Sequence, residues 1–166
     1  QSPDRTWHTG YAESDDGIQW RKPDLGQITF LERPTNQIKT SWDAYFLSTV
    51  FENPLPGALP SQRFGGYWME SRFEDKTQKD WNKSLWSKSL AWSPDGITWT
   101  RACTAYGEKS RVPFLDISQL LHDPADPDPS LRWKAYGQIF RPRPDGSLPP
   151  GIRNIGLAHG SDVGQV

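Results

Sequence analysis

Cysteine, charge of one dominant sign and long apolar runs are all scarce in this chain. Cys103 is the only cysteine, so neither an intrachain disulfide nor a thiolate metal cluster can form, and thiol usage assigns no redox compartment. The 19 basic residues are balanced by 20 acidic ones, for a formal charge of -1. Such a chain has no long-range field to hold a polyanion or an anionic membrane surface. No segment approaches the roughly 20 apolar residues that cross a bilayer. Nucleic acid and membrane are therefore not expected as partners, and no obligate protein partner is evident. Also missing are a P-loop, a dinucleotide fingerprint, a G-x-S-x-G elbow and a zinc-protease helix. His8, His122 and His159 show no metal-ligand spacing, so no metal or cofactor is expected. The sequence opens on Gln1 without an initiator Met or a signal-like apolar stretch, which reads as a processed terminus or a cut in a longer chain. An extracellular or periplasmic protein is the expectation.

The chain does have turn formers and aromatic rings. Its 166 residues include 14 glycines and 15 prolines, with nine Trp, seven Phe and five Tyr. That many rings argue against disorder, and that many turn formers argue for short pieces joined by tight corners. The hydrophobic fraction, 34%, is lean for a self-contained domain.

An internal repeat organises these pieces. Tyr11-Ala12-Glu13-Ser14-Asp15-Asp16-Gly17-Ile18-Gln19-Trp20 is answered by Leu90-Ala91-Trp92-Ser93-Pro94-Asp95-Gly96-Ile97-Thr98-Trp99, a shared A-x-S-x-D-G-I-x-W. Each copy predicts two antiparallel strands around an Asp-Gly turn that supplies the positive-φ positions. A second repeat pairs Thr49 to Pro54 and Arg63 to Trp68 with Gln119 to Pro124 and Arg132 to Gly137. Each copy reads as a strand, a Pro-rich turn and a return strand. Gly156 to Asp162 lies where another A-x-S-x-D-G hairpin should begin.

In order, these give the last hairpin of one unit (about 7–22), a four-stranded unit (about 45–101) and most of another (about 115–166). The expectation is an all-β chain of propeller blades, residues 1–166 being part of a β-propeller domain truncated inside its last unit. Two and a half blades cannot close a ring, so sheet edges and inter-blade Trp faces should be exposed. Between Asp80 and Leu90, the spacing of Trp81, Leu85 and Ser89 fits a helix, while Trp86, Lys88, Leu90 and Trp92 alternate as a strand. The repeat favours a strand from about Leu85, with Phe73 to Asn82 a charged loop. Pro142 to Gly151 reads as a second long loop.

Three stretches, Ser14 to Gly26, Ser93 to Trp99 and His122 to Pro129 leading into Arg132-Trp133-Lys134, resemble bacterial proteins of the arabinanase, levansucrase and invertase group. These are five-bladed β-propeller glycosidases and their relatives. The S-x-D-G-x-x-W hairpins are also similar to the Asp-box turns of sialidases and other propellers. The resemblance implies a five-bladed parent acting on a carbohydrate substrate or ligand. It also implies an Asp-Pro carboxylate at the start of an inner strand, serving as nucleophile or transition-state stabiliser, with a Glu as general acid.

Asn53 before Pro54 and Asp123 before Pro124 stand at the matching positions. An amide can neither attack nor act as a base, so Asn53 departs from the pattern and is left as a substrate-binding candidate, as is His122, which stands where the invertase pattern has Arg. Asp123 is the catalytic candidate; its alternative is an Asp-Pro turn in which the carboxylate caps local N–H groups. Glu52 and Glu70 lie near inner-strand positions without belonging to a motif. Asp126 and Asp128 read as turn residues, as do Asp16 and Asp95. Trp20 and Trp99 read as packing residues, whereas Trp42, Trp68 and Trp81 are candidates for stacking on a sugar ring. Two functions follow: a glycoside hydrolase working by paired carboxylates, or a non-catalytic carbohydrate-binding or interaction propeller.

Overall fold

The computed structural model describes residues 8–42, 44, 46–72, 85–104, 114–139 and 154–163. The expected loops at Phe73 to Asn82 and Pro142 to Gly151, together with Trp81, lie outside the described residues. Strands dominate what is described. A two-residue ribbon, β1 (Thr29–Phe30) with β2 (Arg33–Pro34), precedes two antiparallel sheets. The first is a four-stranded meander of β3 (Phe46–Glu52), β4 (Phe64–Arg72), β5 (Leu85–Ser93) and β6 (Thr100–Thr104), and the second a three-stranded meander of β7 (Phe114–His122), β8 (Trp133–Ile139) and β9 (Asn154–Gly160). The ambiguous stretch from Leu85 is a strand, because β5 is fully paired to β4 from Phe64↔Ser93 to Arg72↔Leu85.

The second repeat holds down to its irregularities. β3 and β4 slip register between Leu47 and Thr49, and β7 and β8 slip between Ile117 and Gln119. After the slip, Thr49 faces Tyr67 and Gln119 faces Tyr136. An extra residue at that point bends the strand and raises its twist. Each strand then exits through a Pro-rich turn and a 3-10 turn, Pro60–Gln62 or Pro129–Leu131. The Asn53 N–H donates to the Arg63 carbonyl and the Asp123 N–H to the Arg132 carbonyl, both at 2.8 Å.

The A-x-S-x-D-G-I-x-W copies also share a geometry. The Gly17 N–H donates to Ser14 Oγ and the Gly96 N–H to Ser93 Oγ, each at 2.8 Å. Asp16 Oδ1 accepts the N–H groups of Ile18 and Gln19, and Asp95 Oδ1 those of Ile97 and Thr98. Each closing Trp donates its indole N–H to the glycine carbonyl. The Asp-Gly expectation needs one correction: only the glycines have positive φ, +73° and +79°. The aspartates instead serve as acceptors, and backbone N–H donors hold Asp16 below the ordinary carboxylate range. The first copy is pinned by a single bridge, Glu13↔Arg21, rather than by two full strands.

Alternation along β4 sends successive side chains to opposite faces. Tyr67 joins Leu90, Leu120, Trp133, Ala135 and Val163 in a core between the two sheets, with Phe51 and Trp92 packed against it. Trp68 points the other way, into a core with Ile38, Ala91 and Trp99 that Tyr11, Leu25, Trp42 and Ala44 of the N-terminal stretch cover. Gly65 and Gly66 make both cores possible. A Cβ on Gly65 would lie 2.1 Å from Phe51 Cζ, and one on Gly66 would lie 2.8 Å from Leu47 Cδ1 and Trp99 Cζ3.

Gly65→Ala should therefore lower stability by about 1–3 kcal/mol, the usual cost of overpacking, in a urea titration, whereas Gly65→Ala with Phe51→Leu should recover part of that loss. At the β1–β2 turn, Leu31 and Glu32 both have positive φ, 49° and 61°, which costs about 1–2 kcal/mol per residue for an L side chain. Replacing the pair with Asn-Gly, which suits this turn, should raise the urea midpoint.

Candidate functional site

Asp123 sits at the exit of β7 rather than at the start of an inner strand, one residue beyond His122. Asn53 sits at the same exit of β3. Both side chains close an Asx turn: Asn53 Oδ1 accepts the Leu55 N–H at 3.1 Å and Asp123 Oδ1 the Ala125 N–H at 3.2 Å. The other oxygen or nitrogen is where they differ. Asn53 Nδ2 donates to the Gln62 carbonyl at 3.0 Å, closing its own loop. Asp123 Oδ2 instead accepts from Lys134 Nζ at 2.7 Å.

Lys134 holds a second carboxylate as well, with Asp126 Oδ2 2.8 Å from its Nζ. Around this trio, Asp128 Oδ1 accepts from the Ser130 N–H and hydroxyl, and the Asp128 N–H donates to Asp126 Oδ1. Arg132 Nε donates to the Asp126 carbonyl. The hydrogen bond from Lys134 is the main force holding Asp123 and Asp126 below the usual carboxylate range, and their bonds to it raise the lysine in turn. The site is thus a fixed, partly exposed acceptor–donor–acceptor array in which both carboxylates are ionised at neutral pH. Lys134 escaped the sequence reading. Its signal was its place at the start of a return strand, alternating with Trp133 and Ala135 and opposite the Asp-Pro turn.

The other candidates are not gathered there. Trp68 is 2% exposed, wedged edge-on between Trp42 and Trp99 with ring centroids 5.7 Å from each. Trp42 is half-buried against it, and both indole N–H groups are enclosed without an acceptor among the described residues. His122 leans on Trp133 at 4.6 Å. Trp99 is buried while its repeat mate Trp20 is exposed. Glu70 lies buried in β4, accepting from Ser89 Oγ at 2.6 Å and from Arg101 Nη2 at 3.0 Å. Glu52 is exposed and weakly paired with Arg63. Among the described residues no group of His, Cys, Asp and Glu is arranged to hold a metal ion, and no helix is long and apolar enough to cross a membrane.

The pH dependence of the trio has a definite sign. Folded-state pKa values of Asp123 and Asp126 below the unfolded values, about 4, give stability that is present above that pH and lost as pH falls through the folded values. The raised Lys134 contributes stability that is present below about 10.4 and lost as pH rises through its folded value. Lys134→Met should lower the melting temperature at pH 7, with the gap from the unmodified protein closing towards pH 2; a gap that stays constant from pH 7 to 2 would mean that Lys134 acts by packing alone. Compared with known protein families, curated proteins and solved structures, the chain matches none, and its function has to be argued from this geometry.

Proposed function

We propose that the two sheets are successive blades of a β-propeller, the parent being five-bladed and extracellular or periplasmic, and that this propeller binds carbohydrate. Two meanders with the same bulge, the same exit turn and adjacent first strands, β3 alongside β7, support the blade reading, since blades stack face to face with their inner strands around an axis. The two Ser-x-Asp-Gly turns support it too, because they share one set of hydrogen bonds, as turns of a repeated unit would.

The observation that carries the binding reading is Lys134 clamped between Asp123 and Asp126. A sugar diol presents hydroxyls that each donate and accept. A carboxylate beside an ammonium at a partly open rim offers the matching acceptor and donor at fixed spacing. Hydrolysis asks for something else: one carboxyl protonated and one ionised on either side of a glycosidic bond. Asp123 has the ionised form a nucleophile requires, which favours a second reading, that of a glycoside hydrolase. Asp126, bound to the same lysine and ionised like Asp123, is not the acid that this reading needs.

One pair of measurements separates the readings. Glycan-array and calorimetric binding should identify an oligosaccharide ligand, with Asp123→Ala and Lys134→Ala each weakening it roughly tenfold or more, the worth of a charge-assisted hydrogen bond. No aryl glycoside should be turned over. If turnover is found and Asp123→Asn slows it by about 10² to 10⁴ with folding intact, the hydrolase reading replaces this one.

A further inference from the structure

Two Asp-Gly steps lie among the described residues, Asp16-Gly17 and Asp95-Gly96, one in each A-x-S-x-D-G-I-x-W turn. Lacking a Cβ, a glycine lets its backbone nitrogen approach the carboxyl carbon of a preceding aspartate more closely than other residues do. The closed turn opposes that approach in both copies. The glycine N–H donates to the serine Oγ at 2.8 Å, and the same hydroxyl donates to aspartate Oδ1 at 3.0 Å. Nitrogen and carboxyl group are each tied to the hydroxyl rather than to each other. Two further backbone N–H groups hold the same carboxylate oxygen. Reaction between them therefore waits for the turn to open.

The two turns differ in what opening breaks. Around the second, Ser93 ends β5, Thr100 begins β6, and Trp92 pairs with Thr100. Trp99 is buried edge-on against Trp68, and Thr98 Oγ1 adds a bond to Asp95 Oδ2 at 3.2 Å. Opening this turn pulls a ring out of the core. Around the first, the ladder is the single bridge Glu13↔Arg21. Ile18 and Trp20 are exposed, and Gln19, which stands in the place of Thr98, has no hydroxyl to offer. The ion pairs of Arg21 with Glu13 and Asp15 lie at the surface and add little. The first turn can open by itself.

We propose that Asp16-Gly17 is a site of spontaneous modification, isomerising through a succinimide to isoaspartate in the folded protein, while its repeat mate Asp95-Gly96 is held against the same reaction. The Gly17 nitrogen bonds to Cγ of the protonated Asp16 carboxyl and gives up its proton, which leaves with the carboxyl OH as water. Water then adds back to the ring. When the ring opens at the main-chain carbonyl of Asp16, the chain runs on through the side chain, one methylene longer, and a free α-carboxylate is left in place of the side-chain one. Nothing is oxidised or reduced, and the charge is unchanged. The new carboxylate is out of place for the Ile18 and Gln19 N–H groups that Asp16 collected, so the turn does not close again as before. The inference needs no ligand and no order of blades.

The test ages the chain at physiological temperature and mildly acidic pH, in buffer and in concentrated urea, and then maps its peptides. Isoaspartyl peptides separate from aspartyl peptides of equal mass and accept a methyl group from S-adenosylmethionine through an isoaspartyl methyltransferase. In buffer, isoaspartate should build up at residue 16 roughly tenfold or more faster than at residue 95, the first turn opening locally and the second only with the core. In urea the two rates should converge. Ser14→Ala should speed the reaction at residue 16 several-fold in buffer and leave it unchanged in urea. Equal rates in buffer would overturn the proposal. So would a ratio that persists in urea, which would assign the difference to neighbouring residues in the sequence and not to the fold.

Discussion

The two sheets meet through Phe51, and Phe51 can be where it is only because Gly65 has no side chain. The two residues are cross-strand partners, and the ring lies over the glycine. From there it makes edge contacts with Trp92 of its own sheet at 6.0 Å and Trp133 of the second at 5.7 Å. Burial of a phenylalanine stabilises by about 1.5–3 kcal/mol and each aromatic pair adds about 0.5–1.5. The seam between the two sheets therefore hangs on one small residue. The adjacent Gly66 does the same on the opposite face for Trp99 and Leu47, so one dipeptide in β4 sets the spacing of both layers.

From that seam the aromatic residues divide by strand alternation. Trp68 and Trp99 go to the N-terminal side and Trp92 and Trp133 to the sheet–sheet side. The hairpin turns then stay constant while their surroundings change. Ser14 and Asp16 make the bonds that Ser93 and Asp95 make, yet Trp20 is 61% exposed and Trp99 is 5% exposed. Partial burial pushes Asp95 upward, but the N–H donors of Thr98 and Ile97 with the Ser93 hydroxyl outweigh it and leave its pKa lowered. Local hydrogen bonding builds the turn; packing against the sheet decides whether the ring at its end is core.

That division explains what could be read from the residues alone. The two repeats, the strand from Leu85 and the equivalence of Asn53 with Asp123 were legible because each is a local pattern recurring at a fixed offset. The burial of Trp68 was not, since Trp42 and Trp99, which close over it, lie in the N-terminal stretch and on the far side of a turn. Nor was Lys134, whose charge reads as a solvated strand position until the Asp-Pro turn is folded back beside it. The Asp-Gly turn was legible in place but not in mechanism, because φ signs do not reveal that a carboxylate collects the N–H groups.

The difference between Asn53 and Asp123 acquires a structural cause once the return strands are compared. Opposite Asn53 the position equivalent to Lys134 is Gly65, which must stay empty for Phe51. No cation can stand there, and a carboxylate at residue 53 would meet the Gln62 carbonyl, acceptor against acceptor, without a proton to share. An amide resolves this by donating to Gln62. In the second sheet the smaller Leu121 stands in place of Phe51 with Lys134 as its cross-strand partner, and the lysine ammonium compensates the aspartate. The residue at each Asp-Pro or Asn-Pro corner is thus coupled to the size of the side chain two positions earlier in the strand. The amide at the first corner and the carboxylate at the second are thus accounted for by packing and local hydrogen bonding.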